Sequence, residues 1–183
     1  FVALWGLTGP TVQALMTNCI GADNIVRAIG ENGYPVKTVI GISTDKACKP
    51  VNVMGMSKSL QERIFIAANI LNPRTRFICV RYGNVLASRG SVIPYFLSLR
   101  DQGVLPLTDA RMTRFMITLE QDVELVWQAF EDMVGGEIYV KKIPSMTLPE
   151  IARAIAPEAE QRVVGIRPGE KIPVDGIVTA GAS

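Results

Sequence analysis

Two short apolar runs frame one long amphipathic stretch, and this arrangement limits the fold more than any other feature of the chain. Residues 36–42 (VKTVIGI) and 77–80 (FICV) are largely apolar on both faces, the pattern of strands covered on both sides. Between them Met56, Leu60, Ile64, Ala68 and Leu71 recur at helical spacing, after Pro50 and Asn52 and before the breaker Asn72-Pro73. Strand, long helix, strand predicts a parallel sheet covered by helices, an α/β fold. A further helix is expected over residues 11–30, with Leu15, Cys19, Ala22, Val26 and Ile29 on one face and Gly30 as its stop.

The second half reads differently. Thr118-Leu119-Glu120-Gln121 has the spacing of a capping box and opens a helix carrying Val123, Val126, Trp127, Phe130 and Met133, stopped by Gly135-Gly136. Residues 137–140 form a short strand. Thr147-Leu148-Pro149-Glu150 opens another helix, with Ile151 and Ile155 inward and Pro157 at its end. Short elements of this kind predict a smaller α+β lobe after the parallel sheet.

Composition narrows the function. The 183 residues are 48% hydrophobic and 20% charged, enough for a buried core and unlike a disordered chain. No apolar run approaches the roughly 20 residues that span a bilayer. The first nine residues lack the basic flank and full apolar region of a signal peptide. A net charge of +2 does not suggest a nucleic-acid partner. There is no histidine, which excludes Ser-His-Asp and Cys-His catalysis and histidine metal ligands, and no metal is expected. Cys19, Cys48 and Cys79 are odd in number and form no CxxC pair, so they read as free thiols of a reducing compartment, the cytoplasm.

Ser43-Thr44-Asp45-Lys46 follows the first strand directly. The carboxyl ends of strands are where open α/β sheets bind ligands, and a hydroxyl, a carboxylate and an amine in succession form an unusual set there. A polar turn in which Thr44 or Asp45 caps the next helix is the alternative. Lys58 sits four residues after Met54, on the same helix face. Arg81-Tyr82-Gly83-Asn84-Val85 follows the second strand, and Ser88-Arg89-Gly90-Ser91 comes shortly after. Arg111 and Arg114 flank Met112-Thr113, with salt bridges to Asp109 or Glu120 as the plain reading of both.

In this order, with Arg167-Pro168-Gly169-Glu170-Lys171 at the end, these motifs resemble the nucleotide-sugar 4,6-dehydratases of the extended short-chain dehydrogenase/reductase superfamily. The nearest branch is similar to the UDP-N-acetylglucosamine 4,6-dehydratases of bacterial polysaccharide and flagellin-sugar pathways. The resemblance implies a partial Rossmann-like parallel sheet, its N-terminal cofactor-binding strands missing, with a smaller α+β substrate lobe. It assigns residues 12–104 to the C-terminal part of the NAD(P)-binding domain and 105–171 mainly to the nucleotide-sugar lobe. Residues 1–11 and 172–183 fall outside it. The tail from Arg167 also resembles one strand of the actuator domain of heavy-metal P-type ATPases, without the Thr-Gly-Glu-Ser loop that does the chemistry there.

The family implies roles. Asp45 is the acid toward the departing C6 oxygen, Lys46 the base at C5, and Thr44 the hydrogen-bond donor to the C4 oxygen. Asp45 then has to be protonated and Lys46 partly neutral, so their side chains are expected to diverge. Lys58 matches the lysine of the Tyr-x-x-x-Lys pair and would hold the nicotinamide ribose, with Ser43 and Tyr82 also at the cofactor. Met54 takes the tyrosine position, as in some branches of the family, and a thioether carries no proton. Asn84, Arg89, Ser91, Arg111, Arg114, Arg167 and Glu170 would bind the UDP-sugar. The cofactor is NAD or NADP. No G-x-x-G-x-x-G turn is present, so the chain is expected to be a C-terminal portion that binds the dinucleotide poorly. Self-association is expected, and a membrane contact only through an upstream anchor. A remnant without activity, or a dehydratase that also inverts C5, are the other readings.

Overall fold

Strands β1 (Thr38–Thr44) and β2 (Arg76–Tyr82) pair in parallel over their whole length, with Thr38 opposite Arg76 and Thr44 opposite Tyr82. Strand β6 (Ile138–Val140) joins the other edge of β2, also in parallel. The computed structural model describes residues 11–86, 88 and 91–165. These divide into two compact units, one holding the described residues up to Tyr82 with Val123–Lys141, the other Gly83–Asp122 with the described residues from Lys142 on.

In the first unit β2 is buried on both sides, and its residues alternate between two helical layers. Phe77 and Cys79 face helices α1 (Gly21–Asn32) and α2 (Val53–Leu71), where they meet Val26, Ile29, Phe65 and Ala68. Ile78 and Val80 face the opposite layer, helix α4 (Leu119–Asp132), and meet Leu125, Ala129 and Met133. All four β2 side chains are fully buried, and burying each contributes roughly 1.5–3 kcal/mol. This is the helix-covered parallel sheet that the doubly apolar runs predict.

Two missing Cβ atoms let α2 reach the sheet. A Cβ on Gly41 in β1 would lie 2.5 Å from the Phe65 ring, so the ring occupies that space and stacks on Phe77 at 6.1 Å. A Cβ on Gly55, in the first turn of α2, would collide with the backbone carbonyl of Lys46. The helix start therefore presses directly on the short 3₁₀ turn Asp45–Ala47 that follows β1. Asn52 caps α2, its side chain accepting from the Gly55 amide at 2.9 Å.

Several expectations shift. The first strand starts and ends two residues later than residues 36–42, so Ser43 and Thr44 belong to it. Helix α1 runs past Gly30 and stops at Gly33, which takes the left-handed conformation (φ 63°) that ends helices cheaply. A π-helical turn, Leu15–Ile20, precedes α1. The capping box on α4 forms with Thr118 and Gln121 as its two halves. The inward face of α4 differs from the expected one: Val123 and Trp127 are 48% and 62% exposed, and Phe130 is 46% exposed. Ala129 is small enough to bring the helix axis close to Ile78 and Val80, which the bulk of Trp127 would prevent. The chain leaves the first unit after Tyr82 and returns to it within α4, which covers the sheet.

The second unit holds β3 (Asn84–Val85), parallel to β5 (Thr113–Ile117), which pairs antiparallel with β7 (Ser145–Thr147). Strand β4 (Val104–Leu107) pairs in parallel with β8 (Glu160–Val163). Helices α3 (Val92–Leu99) and α5 (Leu148–Ile155) close a core of Phe96, Leu105, Leu107, Met112, Leu148 and Ile151. The capping box of α5 forms as its sequence predicts, between Thr147 and Glu150.

Placing a methyl group at Gly55 tests the close approach. Alanine is the better helix former, yet here it has to displace the Lys46 carbonyl. Gly55→Ala is expected to destabilise the chain by roughly 1–3 kcal/mol, the usual cost of overpacking, read as a lower denaturant midpoint. A midpoint at or above wild type would show that the turn yields freely.

Candidate active site

The carboxyl end of β1 gathers the polar groups of the first unit's candidate site. Thr44 is extended and caps the 3₁₀ turn, its Oγ accepting from the Lys46 amide at 3.3 Å. The same hydroxyl donates to Asp45 Oδ1 at 2.8 Å, and Lys46 Nζ lies 3.1 Å from that oxygen. Capping and a reactive-group cluster are thus both present. The divergence expected of Asp45 and Lys46 is not: the two side chains form an ion pair, 24% and 43% exposed. Opposite charges at this distance attract, and solvent screens the pair only in part.

Lys58 projects from α2 to the same strand end. Its ammonium donates to the Ile42 carbonyl and to Gln61 Oε1, each at 2.9 Å. Burial disfavours the charged form and lowers its pKa from the ordinary lysine value; the nearby Cys79 thiol and Glu62 carboxylate partly oppose that shift. Met54 is exposed, one turn before Lys58, so no proton-carrying group stands at the tyrosine position. Tyr82 lies opposite Thr44 across the strand pair.

Ser43, expected at the cofactor, turns its side chain into the core. It is 4% exposed, and its hydroxyl donates to Glu62 Oε1 at 2.5 Å. The alternation of the strand turns Ser43 inward, opposite in sense to Thr44. Glu62 also receives Arg81, Nε at 2.8 Å and Nη2 at 2.7 Å, in a bidentate pair. These hydrogen bonds hold the Arg81 guanidinium firmly protonated, and burial pushes the Cys79 thiol up to about 12. Sequence reasoning missed Glu62. The available signal was a carboxylate on the apolar helix, four residues past Lys58.

The second unit has its own candidate site, a cavity of about 530 Å³. Ser91, Tyr95, Pro106, Thr108 and Arg114 line it. Ser91 Oγ is buried there without a hydrogen-bond partner among the described residues, although Ser91 precedes α3 in an N-cap position. Arg114 also donates to the Thr113 carbonyl at 2.9 Å. Tyr95, Pro106 and Thr108 were not singled out from the sequence, where nothing marks them. Asn84 sits in β3, paired with Met116. Arg111 is 70% exposed and binds Asp109 through Nε and Nη2, the plain reading of that arginine; the pair holds the Asp109 carboxyl at about 2. Arg89, Arg167 and Glu170, and the P-type-like tail, lie outside the described residues.

The family model "Polysaccharide biosynthesis protein" matches residues 9–178, so the chain belongs to that family. The match takes in residues 9–11 and 172–178, beyond the extent read from the motifs. A UDP-N-acetylglucosamine 4,6-dehydratase (inverting) of Campylobacter jejuni is 49% identical over 165 residues, covering 88% of this chain and 49% of that protein. A UDP-glucose 4-epimerase of Rickettsia conorii is 45% identical over 167 residues, covering 87% and 48%. The chain therefore spans about half the length of the curated relatives it matches. Among solved structures, Pen from Bacillus thuringiensis superposes with a TM-score of 0.79 at 33% identity, covering 88% of this chain and 52% of that one. The dTDP-glucose 4,6-dehydratase DesIV of Streptomyces venezuelae, solved with NAD and TYD, superposes at 0.77 with 20% identity, covering 93% and 58%, and shares the fold. The mixed α/β architecture with its parallel sheet is thus the fold that these solved structures share.

The Lys58 shift sets a pH dependence. The folded pKa is lower than the unfolded one, so between the two the unfolded chain holds a proton the folded chain has released. Stability contributed by this group is lowest below the folded value and rises with pH toward the ordinary lysine value of about 10.4. Lys58→Met is expected to flatten that rise, seen as a wild-type-minus-variant difference in denaturant midpoint that grows across the alkaline range. A constant difference would mean that Lys58 titrates alike in both states.

Proposed function

We propose that this chain carries the catalytic strand end and nucleotide-sugar lobe of an NAD(P)-dependent UDP-N-acetylglucosamine 4,6-dehydratase, a lyase of bacterial surface-glycan synthesis. The observation that carries the reading is the hydrogen-bonded set Thr44, Asp45 and Lys46 at the carboxyl end of a parallel strand, beside a desolvated Lys58. The 49%-identical relative named for this activity supports it. Nothing in the chain chooses NAD over NADP. Among the described residues no helix is long and apolar enough to cross a membrane. A cytoplasmic site of action and self-association remain part of the proposal.

Lys58 fits the nicotinamide ribose of the cofactor: it is partly desolvated and stands at the strand end. NAD(P) held there would supply the reversible hydride acceptance that oxidation at C4 and reduction at C6 require. The chain's own groups move the protons. With Met54 inert, Thr44 Oγ accepts the C4 hydroxyl proton while passing its own along the 2.8 Å bond to Asp45. Asp45 is then the acid that protonates the C6 oxygen, which leaves as water. With Asp45 protonated, the Lys46 ammonium gives its proton to solvent, and the resulting amine takes the C5 proton made acidic by the 4-ketone; it regains a proton from solvent after returning that one to C5. The C4 hydroxyl proton thereby ends on the departing water, and the C5 proton goes back to carbon when the double bond is reduced.

The second unit takes the nucleotide. Ser91 and Arg114 in the cavity, with Asn84 and Arg89, supply donors to the diphosphate, and Arg167 and Glu170 contact phosphate and ribose. Arg111 supports this lobe through Asp109 rather than by direct contact.

The test is product analysis of the full reading frame with UDP-N-acetylglucosamine and NAD(P). A product lighter by one water is expected, with Asp45→Asn and Lys46→Ala each slowing its formation by about 10²–10⁴-fold, as loss of a general acid or base does. A product of unchanged mass with C4 inverted would overturn the reading in favour of the epimerase activity for which the Rickettsia conorii relative is named. UDP bound without turnover would leave the inactive remnant.

A further inference from the structure

Glu62 is among the most deeply buried charged side chains described, and the proton chemistry set out above makes no use of it. Its side chain is 2% exposed, and both its oxygens are engaged: Oε1 by Ser43 and by Arg81 Nε, Oε2 by Arg81 Nη2. A buried ion pair is a poor device for stability, because desolvating two charges offsets most of their attraction. Here it joins three elements at one point. Glu62 is on α2, one turn beyond Lys58. Ser43 is the residue before Thr44 on β1. Arg81 is the residue before Tyr82 on β2, and lies opposite Ser43 in the strand pairing.

We propose that Glu62 is a positioning residue: its carboxylate clamps Ser43 and Arg81 to α2, fixing the strand end that carries Thr44, Asp45 and Lys46 against the helix that carries Lys58. The apolar contacts of α2 lie mostly on its Phe65–Ala68 turn, toward the middle and amino ends of the strands. They do not reach the carboxyl end of the strand, where Gly55 sets how closely the helix start approaches the turn but supplies no directional bond. The bidentate bonds at Glu62 are directional, since a guanidinium and a carboxylate pair in one plane and at one separation. The Lys58–Ile42 carbonyl bond then follows from the clamp, because Ile42 and Ser43 are adjacent in β1 and Lys58 and Glu62 are adjacent turns of α2. The word catalytic for this site rests on the proposed function; the positioning itself does not.

The experiment reads Lys58 directly and needs no turnover. In competitive labelling with acetic anhydride, followed by peptide mass spectrometry, the pH midpoint of each lysine is measured in wild type, Glu62→Gln and the paired Glu62→Met/Arg81→Met variant. The groups acting on Lys58 are Glu62 on its own helix, Cys79 on β2, and its acceptors Gln61 and the Ile42 carbonyl. Loss of the Glu62 charge alone removes an anion and lowers the Lys58 midpoint. Loss of position admits water and raises it toward the ordinary value of about 10.4. The clamp predicts an upward shift of about half a unit or more in Glu62→Gln, with the exposed Lys37 unchanged. The paired variant removes both charges and can keep a full core, so it is expected to melt near wild type yet show the same upward shift. A Lys58 midpoint that falls or stays in place in either folded variant overturns the positioning role. If the paired variant does not fold, Glu62→Gln decides alone. Should Lys58 shift as expected while the full protein makes no dehydrated product, the proposed function fails and the clamp stands.

Discussion

Helix α2 lies on β1 because two residues have no Cβ, and most of what the first unit can do depends on that closeness. Gly41 gives the Phe65 ring its place on the sheet, and Gly55 lets the first turn of the helix press on the Lys46 carbonyl. The approach brings a lysine on a helix within 2.9 Å of a strand carbonyl. It also desolvates that lysine, shifting its titration through burial rather than through a charged neighbour. A helix held one methyl group further out would leave Lys58 in water and the turn at Asp45 without its support.

The two ion pairs near this strand end have opposite characters. Arg81–Glu62 is almost entirely buried, bidentate and hydrogen-bonded at every oxygen, so it has one geometry. Lys46–Asp45 is partly exposed and joins one ammonium to one carboxylate oxygen, without the fixed plane of a bidentate pair. The first pair fixes a frame at the strand end, and the second leaves its charged groups within reach of solvent. The Thr44 hydroxyl joins the two functions, capping the turn through its acceptor lone pair and donating to Asp45 through its proton.

The legible parts of the sequence were those where local physics and tertiary packing agree. The doubly apolar run at Phe77 became the fully buried central strand, and Thr118 with Gln121 and Thr147 with Glu150 formed the caps their spacing implies. Helix α4 shows where the agreement ends. Its apolar residues fill two stripes, and helical periodicity cannot say which meets the sheet; the small Ala129 decides, and Trp127 is left outside. Ser43 shows a related limit: within a polar run each residue looks equally available, but strand alternation sends Ser43 to a buried carboxylate and Thr44 to Asp45.

By itself the sequence determined the order of elements, the parallel sheet and the placing of Thr44, Asp45 and Lys46 at a strand end, because these follow from periodicity, turn chemistry and motif order along the chain. Tertiary structure alone decided which charges are paired, which are desolvated and which face of each helix is buried. Those properties depend on atoms distant in sequence: Glu62 meets Ser43 and Arg81 across 19 residues in each direction, and Lys58 meets Ile42 across 16. No local pattern encodes such distances, which appear only once the chain has packed and excluded water from between them.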